Sequence, residues 1–317
     1  MWPRVLLFLI AFSVLILNAA PLKAGEWPKG HIVREDSESP DGRYALLVQT
    51  ADAEDQQNSN ESDVYLADVK AHTTLGPIGK VDYFEHQNHR DLEVFWAPDS
   101  SYCVVENDGR YGMDTLSVLE IKDSKFVQTE IGERIQKSLD GAMKKQSHER
   151  DIGGDVSPHF RLGNDRKIRV RATSQNNPKQ FENVKTYYAL FQGTYDLAAK
   201  KWTVTDARLT NSEQDDALQA AYDDSFAKHM IVATDDKQVP ENFTGNIFRS
   251  EEEKFDALDE RLNQVYQAVR SLLPPNRFAK LKQEQLAWVK TRDAAKSVEE
   301  KSKLTEDRIK ALQDLLW

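Results

Sequence analysis

Two hydrophobic periodicities divide the chain. Between about residues 27 and 210, short β-branched and aromatic runs alternate with polar positions and stop at turn residues. This pattern predicts strands at Arg43–Gln49, Asp63–Val69, Leu92–Trp96, Tyr102–Glu106, Thr115–Ile121, Ile168–Ala172, Lys185–Phe191 and Trp202–Thr205. Pro40-Asp41-Gly42, Pro98-Asp99-Ser100, Asn107-Asp108-Gly109 and Gly163-Asn164-Asp165 punctuate them. There Pro sets φ, Asp bonds its own turn and Gly tolerates positive φ. One helix interrupts this region and another follows it. Ile131, Ile135, Leu139 and Met143 mark the first over Ile131–Gln146. Ser212–Phe226 reads as an exposed acidic helix with Asp215-Asp216 and Asp223-Asp224 on a solvated face.

After Glu251 the period becomes helical. Ser250 is an N-cap ahead of Glu251-Glu252-Glu253. Phe255, Leu258, Leu262, Val265/Tyr266, Val269 and Leu272/Leu273 stripe the first helix, and Pro274-Pro275 ends it. Phe278, Leu281, Gln285, Trp288 and Arg292 share one side of a second helix, with Trp288 expected to be buried. Leu304, Ile309, Leu312 and Leu315/Leu316 mark a third. The short Pro-Pro connection makes the first two an antiparallel hairpin.

The expected architecture is therefore multidomain β plus α. Residues 27–233 form a β-rich domain, 234–250 a linker, and 251–317 a C-terminal three-helix domain. Ser39-Pro-Asp-Gly-Arg-Tyr-Ala-Leu-Leu-Val48 matches Ala97-Pro-Asp-Ser-Ser-Tyr-Cys-Val-Val-Glu106 at an offset of 58. These turns resemble those of TolB-like and WD-repeat-like β-propeller blades. About 180 residues leave room for four blades at most. A partial propeller, an irregular β-meander and a twisted sandwich all satisfy the pattern.

The first 24 residues read as a signal peptide. Arg4 precedes the apolar run Val5–Leu17, and Ala20 or Ala24 offers a cleavage position. That run is shorter than the roughly 20 residues that cross a bilayer, so no stable membrane insertion is expected after cleavage. The expected location is periplasmic or secreted. The formal charge is −10, or −12 without Arg4 and Lys23, while residues 251–317 carry 13 basic and 13 acidic side chains. The acidic excess lies before Glu251 and disfavours nucleic acid as a partner. The single cysteine, Cys103, sits in a strand-like run and reads as a small buried hydrophobe.

Chemistry-bearing motifs are sparse. Glu85-His86-x-x-His89-Arg90-Asp91 is the one dense set of metal-ligand types, and its polar surroundings read as a solvated loop. No Ser–His–Asp order, phosphate loop or His-Glu-x-x-His is present. The expectation is a protein with no catalysis, no metal and no cofactor.

The polar residues of the helical segment are not explained by its apolar stripes. Gln285, Trp288 and Arg292 follow i, i+3, i+7, which predicts a partly buried network in which Arg292 reaches a carboxylate such as Asp259. Its role is either structural or direct contact with a partner. The order Asp259-x-x-Leu-Asn263-x-x-Tyr266, Gln285-x-x-Trp288, Arg292-Asp293-Ala and Leu-Thr-x-x-Arg308-Ile-x-x-Leu resembles the LprI-type lysozyme inhibitor domain. The resemblance covers about 65 residues. It implies a small helical domain in exported bacterial proteins, with Asp259, Asn263, Tyr266, Gln285, Trp288, Arg292, Asp293 and Arg308 as binding or structural residues. It also implies lysozyme, or another cationic envelope protein, as partner. Where family members commonly carry Cys after the Arg-Asp pair, this chain has Lys296. The alternative is a general periplasmic interaction module that uses its β surface for recognition and its helices for stability.

Overall fold

The computed structural model describes residues 27–51, 63–110, 112–147, 154–176, 186–222, 230–235, 238–240, 243 and 245–317. The expected signal peptide and Asp223-Asp224 lie outside them. The β region is three consecutive four-stranded antiparallel meanders. The first holds β1 (His31–Val33), β2 (Tyr44–Gln49), β3 (Asp63–Asp68) and β4 (Thr73–Asp82). The second holds β5 (Asp91–Trp96), β6 (Tyr102–Gly109), β7 (Gly112–Lys122) and β8 (Lys125–Glu130). Helix α1 (Gly132–Ser147) leads into the third, which holds β9 (Gly154–Leu162), β10 (Lys167–Asn176), β11 (Tyr188–Asp196) and β12 (Lys201–Thr210). The meander expectation fits. The described sheets form no closed barrel or propeller.

One turn is built three times. Gly42, Ser100 and Arg166 have φ of 63°, 58° and 55°. Their N–H groups donate to Ser39 O, Ala97 O and Gly163 O. Asp41, Asp99 and Asp165 accept from the backbone N–H two residues on, at Arg43, Ser101 and Lys167. The sequence marks this third turn at Gly163-Asn164-Asp165 but not its kinship with the other two, because Asn164-Asp165-Arg166 keeps only the Asp, whose side chain bonds the turn backbone.

Sheet two is the middle layer. Cys103, Val105 and Leu119 pack against Leu46, Val48 and Leu66 of sheet one. Tyr102, Val104, Leu116 and Val118 pack against α1 and against Ile168, Val170 and Phe191 of sheet three. Burying a side chain such as Phe191 contributes roughly 1.5–3 kcal/mol. Cys103 is fully buried, and burial pushes its thiol pKa up. Gln128 ties sheets one and two by receiving Gly79 N–H and donating to Gly79 O, both at 2.8 Å.

Of the twelve meander strands, four carried no clear sequence signal: β1, β4, β8 and β9, each at a sheet edge. An edge strand has one free side and tolerates polar residues and Pro. Pro77 in β4 and Pro158 in β9 interrupt the apolar pattern accordingly.

Helix α2 (Ser212–Tyr222) corrects the expectation of a merely solvated acidic helix. Its outer side carries Glu213 and Asp216, but Leu218, Ala221 and Tyr222 are buried. They join one core with Leu258, Leu262, Val265, Ile309 and Leu312 from α3 (Glu251–Leu272) and α5 (Val298–Gln313). Asp215 is also partly buried, which raises its carboxyl pKa. Short parallel strands β13 (Met230–Val232) and β14 (Asn246–Phe248) bracket the connecting segment. Between α3 and α5 lies α4 (Pro275–Asp293), whose single buried side chain is Leu281. Trp288 is only half-buried, a correction to the buried position expected from its stripe.

Candidate functional site

The helical segment starts from two similarly capped helices. Ser250 accepts from Glu253 N–H, and Ser297 accepts from Glu300 N–H. Glu253 and Glu300 reach back to Arg249 N–H and Lys296 N–H, at 2.5 and 2.9 Å. These caps satisfy first-turn donors and place negative charge at the positive helix ends. The α3–α5 contact is tight, with Thr305 fully buried, its hydroxyl donating to Lys301 O. Lys254 pairs with Glu306 across it at 2.8 Å.

Helix α4 is held to α3 by polar and aromatic groups. The Arg292 guanidinium pairs with Asp259 of α3, and its Nε donates to neighbouring Asp293 at 3.2 Å. It also lies 5.1 Å from the Trp288 ring centroid and 5.6 Å from that of Phe255. Its side chain is 14% exposed. A second group joins α4 to α5. Arg308 Nε donates to Gln285 Oε1 at 2.8 Å. Burial lowers the Arg308 pKa and raises that of Tyr266, whose ring packs 5.6 Å from Phe278.

The eight residues singled out in the sequence therefore fall into three places. Asp259, Trp288, Arg292 and Asp293 meet at one end of the α3–α4 hairpin. Gln285 and Arg308 bond to each other farther along, and the Arg308 charge acts on Tyr266 there. Asn263 points elsewhere, into a groove of about 570 Å³ between α2 and α3. Glu213, Asp216, Asp256, Asp259 and Glu260 also line this groove, with no cation among its lining residues. Asn211, Gln214 and Arg270 line a smaller hollow at its end.

The sequence reading missed the docking of the C-terminus. Arg161 of β9 pairs with Asp314 at 3.1 Å, and Arg171 of β10 donates to Leu316 O at 3.1 Å. Trp317 packs 5.1 Å from the Tyr222 ring, and Gln313 donates to Ala221 O. His159 stacks on Tyr222 at 4.7 Å. These contacts join residues separated by up to 153 positions, as Arg161 and Asp314 are, so no local pattern announces them.

Another unanticipated feature lies in sheet two. Asp91 faces Asp108 and Glu93 faces Glu106 across β5 and β6, placing four carboxyls on one face. Burial raises the pKa values of Glu93, Asp108 and Glu106, that of Glu106 to about 10, with neighbouring carboxylates adding to it. Among the described residues, no group of three or more His, Cys, Asp or Glu side chains is placed to hold a metal ion. His86 and His89 both adopt positive φ in a polar loop.

A family model described as Lysozyme inhibitor LprI matches residues 235–312, about a quarter of the chain. The match begins ahead of β14 and runs through most of α5. The comparison with curated proteins gives no match. Among solved structures, the complex structure of the fission yeast SREBP–SCAP binding domains is similar at 8% identity and a TM-score of 0.29. The alignment covers 65% of this chain and 44% of that one, and so less than half of the other chain's length. A likeness at that TM-score carries no argument about fold or function. Among the described residues, no helix is long and apolar enough to cross a membrane.

Proposed function

We propose that this chain is an exported envelope protein that binds a cationic lysozyme or a related peptidoglycan hydrolase through its helical unit, without catalysing a reaction itself. The family match over residues 235–312 carries the reading. The groove supports it. Residues 251–317 are electrically neutral as a segment, but α2 adds Glu213 and Asp216 to the acids of α3, so one surface of the folded unit is acidic. Such a surface steers a cationic partner and orients it on encounter. Obstructing a cleft lined by carboxylates needs a rigid shape and no catalytic groups.

In this reading the helical unit includes α2, because Leu218, Ala221 and Tyr222 share its core. Asp259, Trp288, Arg292 and Asp293, together with Gln285, Arg308 and Tyr266, position α4, while Asn263 faces the partner from the groove. The Val5–Leu17 run supports export before residue 25.

The test is peptidoglycan lysis by a c-type lysozyme in the presence of residues 25–317. Inhibition at micromolar protein and low salt is expected. A Glu213→Gln/Asp216→Gln/Asp256→Gln/Glu260→Gln variant should inhibit at least about tenfold less well, since each exposed charge contributes a few tenths of a kcal/mol. Full lysis at every protein concentration sinks the proposal. Equal inhibition by the variant removes the groove from it.

A further inference from the structure

The third sheet ends in an unpaired strand. β12 is bonded to β11 on one side, and among the described residues no strand pairs with its outer edge. Helix α1 lies beside that edge. Arg134, Ser138, Gly141 and Lys145 recur at three- and four-residue spacing and form one stripe on α1, with Lys137 next to it. Together with Thr205, Asp206 and Ala207 of β12 they line a groove of about 340 Å³. Three cations and one carboxylate line it, in a protein whose formal charge is −10, and Lys137 also pairs with Glu133 one turn back on α1. Asp206 is itself offset by Arg208 at 3.5 Å.

The geometry of the groove selects for an extended ligand. Thr205 and Ala207 lie opposite Gly193 and Phe191, so they share the sheet face that carries Phe191 into the α1-packed core. A further strand beside β12 would turn every second side chain to that same face, toward α1. The stripe from Arg134 to Lys145 runs about 16 Å at helical rise. Alternate residues of a strand recur about every 6.7 Å, so two or three consecutive inward side chains match its length. Gly141, in the middle, leaves open space where a side chain would stand.

We propose that β12 and α1 form a docking surface for an extended acidic polypeptide segment, which adds to β12 as a fifth strand and turns alternate carboxylates toward Arg134, Lys137 and Lys145. Main-chain hydrogen bonds along the open edge provide attachment, and the cations provide selectivity. The surface lies outside residues 235–312 and is independent of the lysozyme reading.

The test titrates the mature chain into a fluorescent eight-residue peptide of alternating Glu and Thr at low salt. The same titration is run with a Lys-Thr peptide and with a Glu-Thr peptide N-methylated at alternate amides. Saturable binding of the first peptide alone is expected, with slowed amide exchange over residues 201–210. An Arg134→Gln/Lys137→Gln/Lys145→Gln variant with unchanged thermal melting should bind about tenfold more weakly or worse. No saturable binding at millimolar peptide overturns the proposal. So does equal binding of the N-methylated peptide, which would mean charge attraction without strand addition. The exchange measurement uses the unsubstituted protein, so the proposal stays falsifiable if the variant misfolds.

Discussion

Asp41, Asp99 and Asp165 of the β region turn their carboxylates onto the backbone of their own turns. Asp256 and Glu260 of α3 stand on a helix side and face a groove. The same residue types thus build structure in one region and surface potential in the other. The difference follows from the backbone. A tight turn exposes N–H groups within reach of a side chain two residues back, whereas a helix interior has already paired its N–H groups. The packing differs as well. Sheet two is buried on both faces, while α4 keeps a single buried side chain and is held by Arg292, Trp288 and Arg308. Cohesion in the β region is therefore apolar and spread over many residues. At α4 it is polar and concentrated in a few.

The largest expected effect tests where the helical unit is solid. Leu258→Ala, at a fully buried position of α3, should destabilise by about 2–5 kcal/mol. Leu286→Ala on α4, 59% exposed, should change stability by less than about 0.5 kcal/mol. Urea denaturation of both variants checks this, and similar losses would make α4 part of the core.

Glu106 gives the next effect. Its folded-state pKa is raised from 4.5 to about 10, so the fold favours the protonated form. Stability is fully present below the unfolded pKa and is lost progressively as pH rises toward 10. Glu106→Gln removes that dependence and should stabilise at neutral pH by on the order of 1–3 kcal/mol. Urea melts between pH 5 and 9 measure both slopes; parallel slopes for the two proteins would contradict the buried-acid account.

Arg292→Ala removes the Asp259 pair and two ring contacts and should cost about 1–2 kcal/mol. Amide exchange should quicken across α4 while α3 and α5 stay protected; uniform quickening would make the hairpin one cooperative unit. The smallest effect lies in the repeated turn. Asp41→Ala and Asp99→Ala should each cost about 0.5–1.5 kcal/mol by losing a side-chain bond to the backbone. Unequal losses beyond that range would mean the two turns are not equivalent.

Much of the fold was legible in the chain because its cues are local. The eight well-patterned strands, the cap at Ser250 and the Pro274-Pro275 break each act within a few residues. Four of the six meander edge strands, β1, β4, β8 and β9, were not, since an edge position relaxes the demand for apolar alternation. The pairing of Arg292 with Asp259 followed from helical spacing plus a hairpin. The separation of Asn263 from Gln285 and Arg308 did not, because it depends on which helix neighbours each side of α3. Trp288 shows the limit of a stripe. Periodicity identifies the side of α4 that faces inward, not how closely the rest of the protein approaches it.

By itself the sequence determined the β-then-α order, the meander turns, the start and end of α3 and the family resemblance of the last quarter. These rest on backbone propensity, capping and periodicity, which operate over one or two turns of chain. The tertiary structure alone decided that α2 belongs to the helical core, that the C-terminus docks on Arg161 and Arg171, and that the acids of α2 and α3 line one groove. Each of these joins residues far apart in the chain. Their energies arise from burial and Coulomb interaction, which depend on distance in space rather than on distance along the sequence.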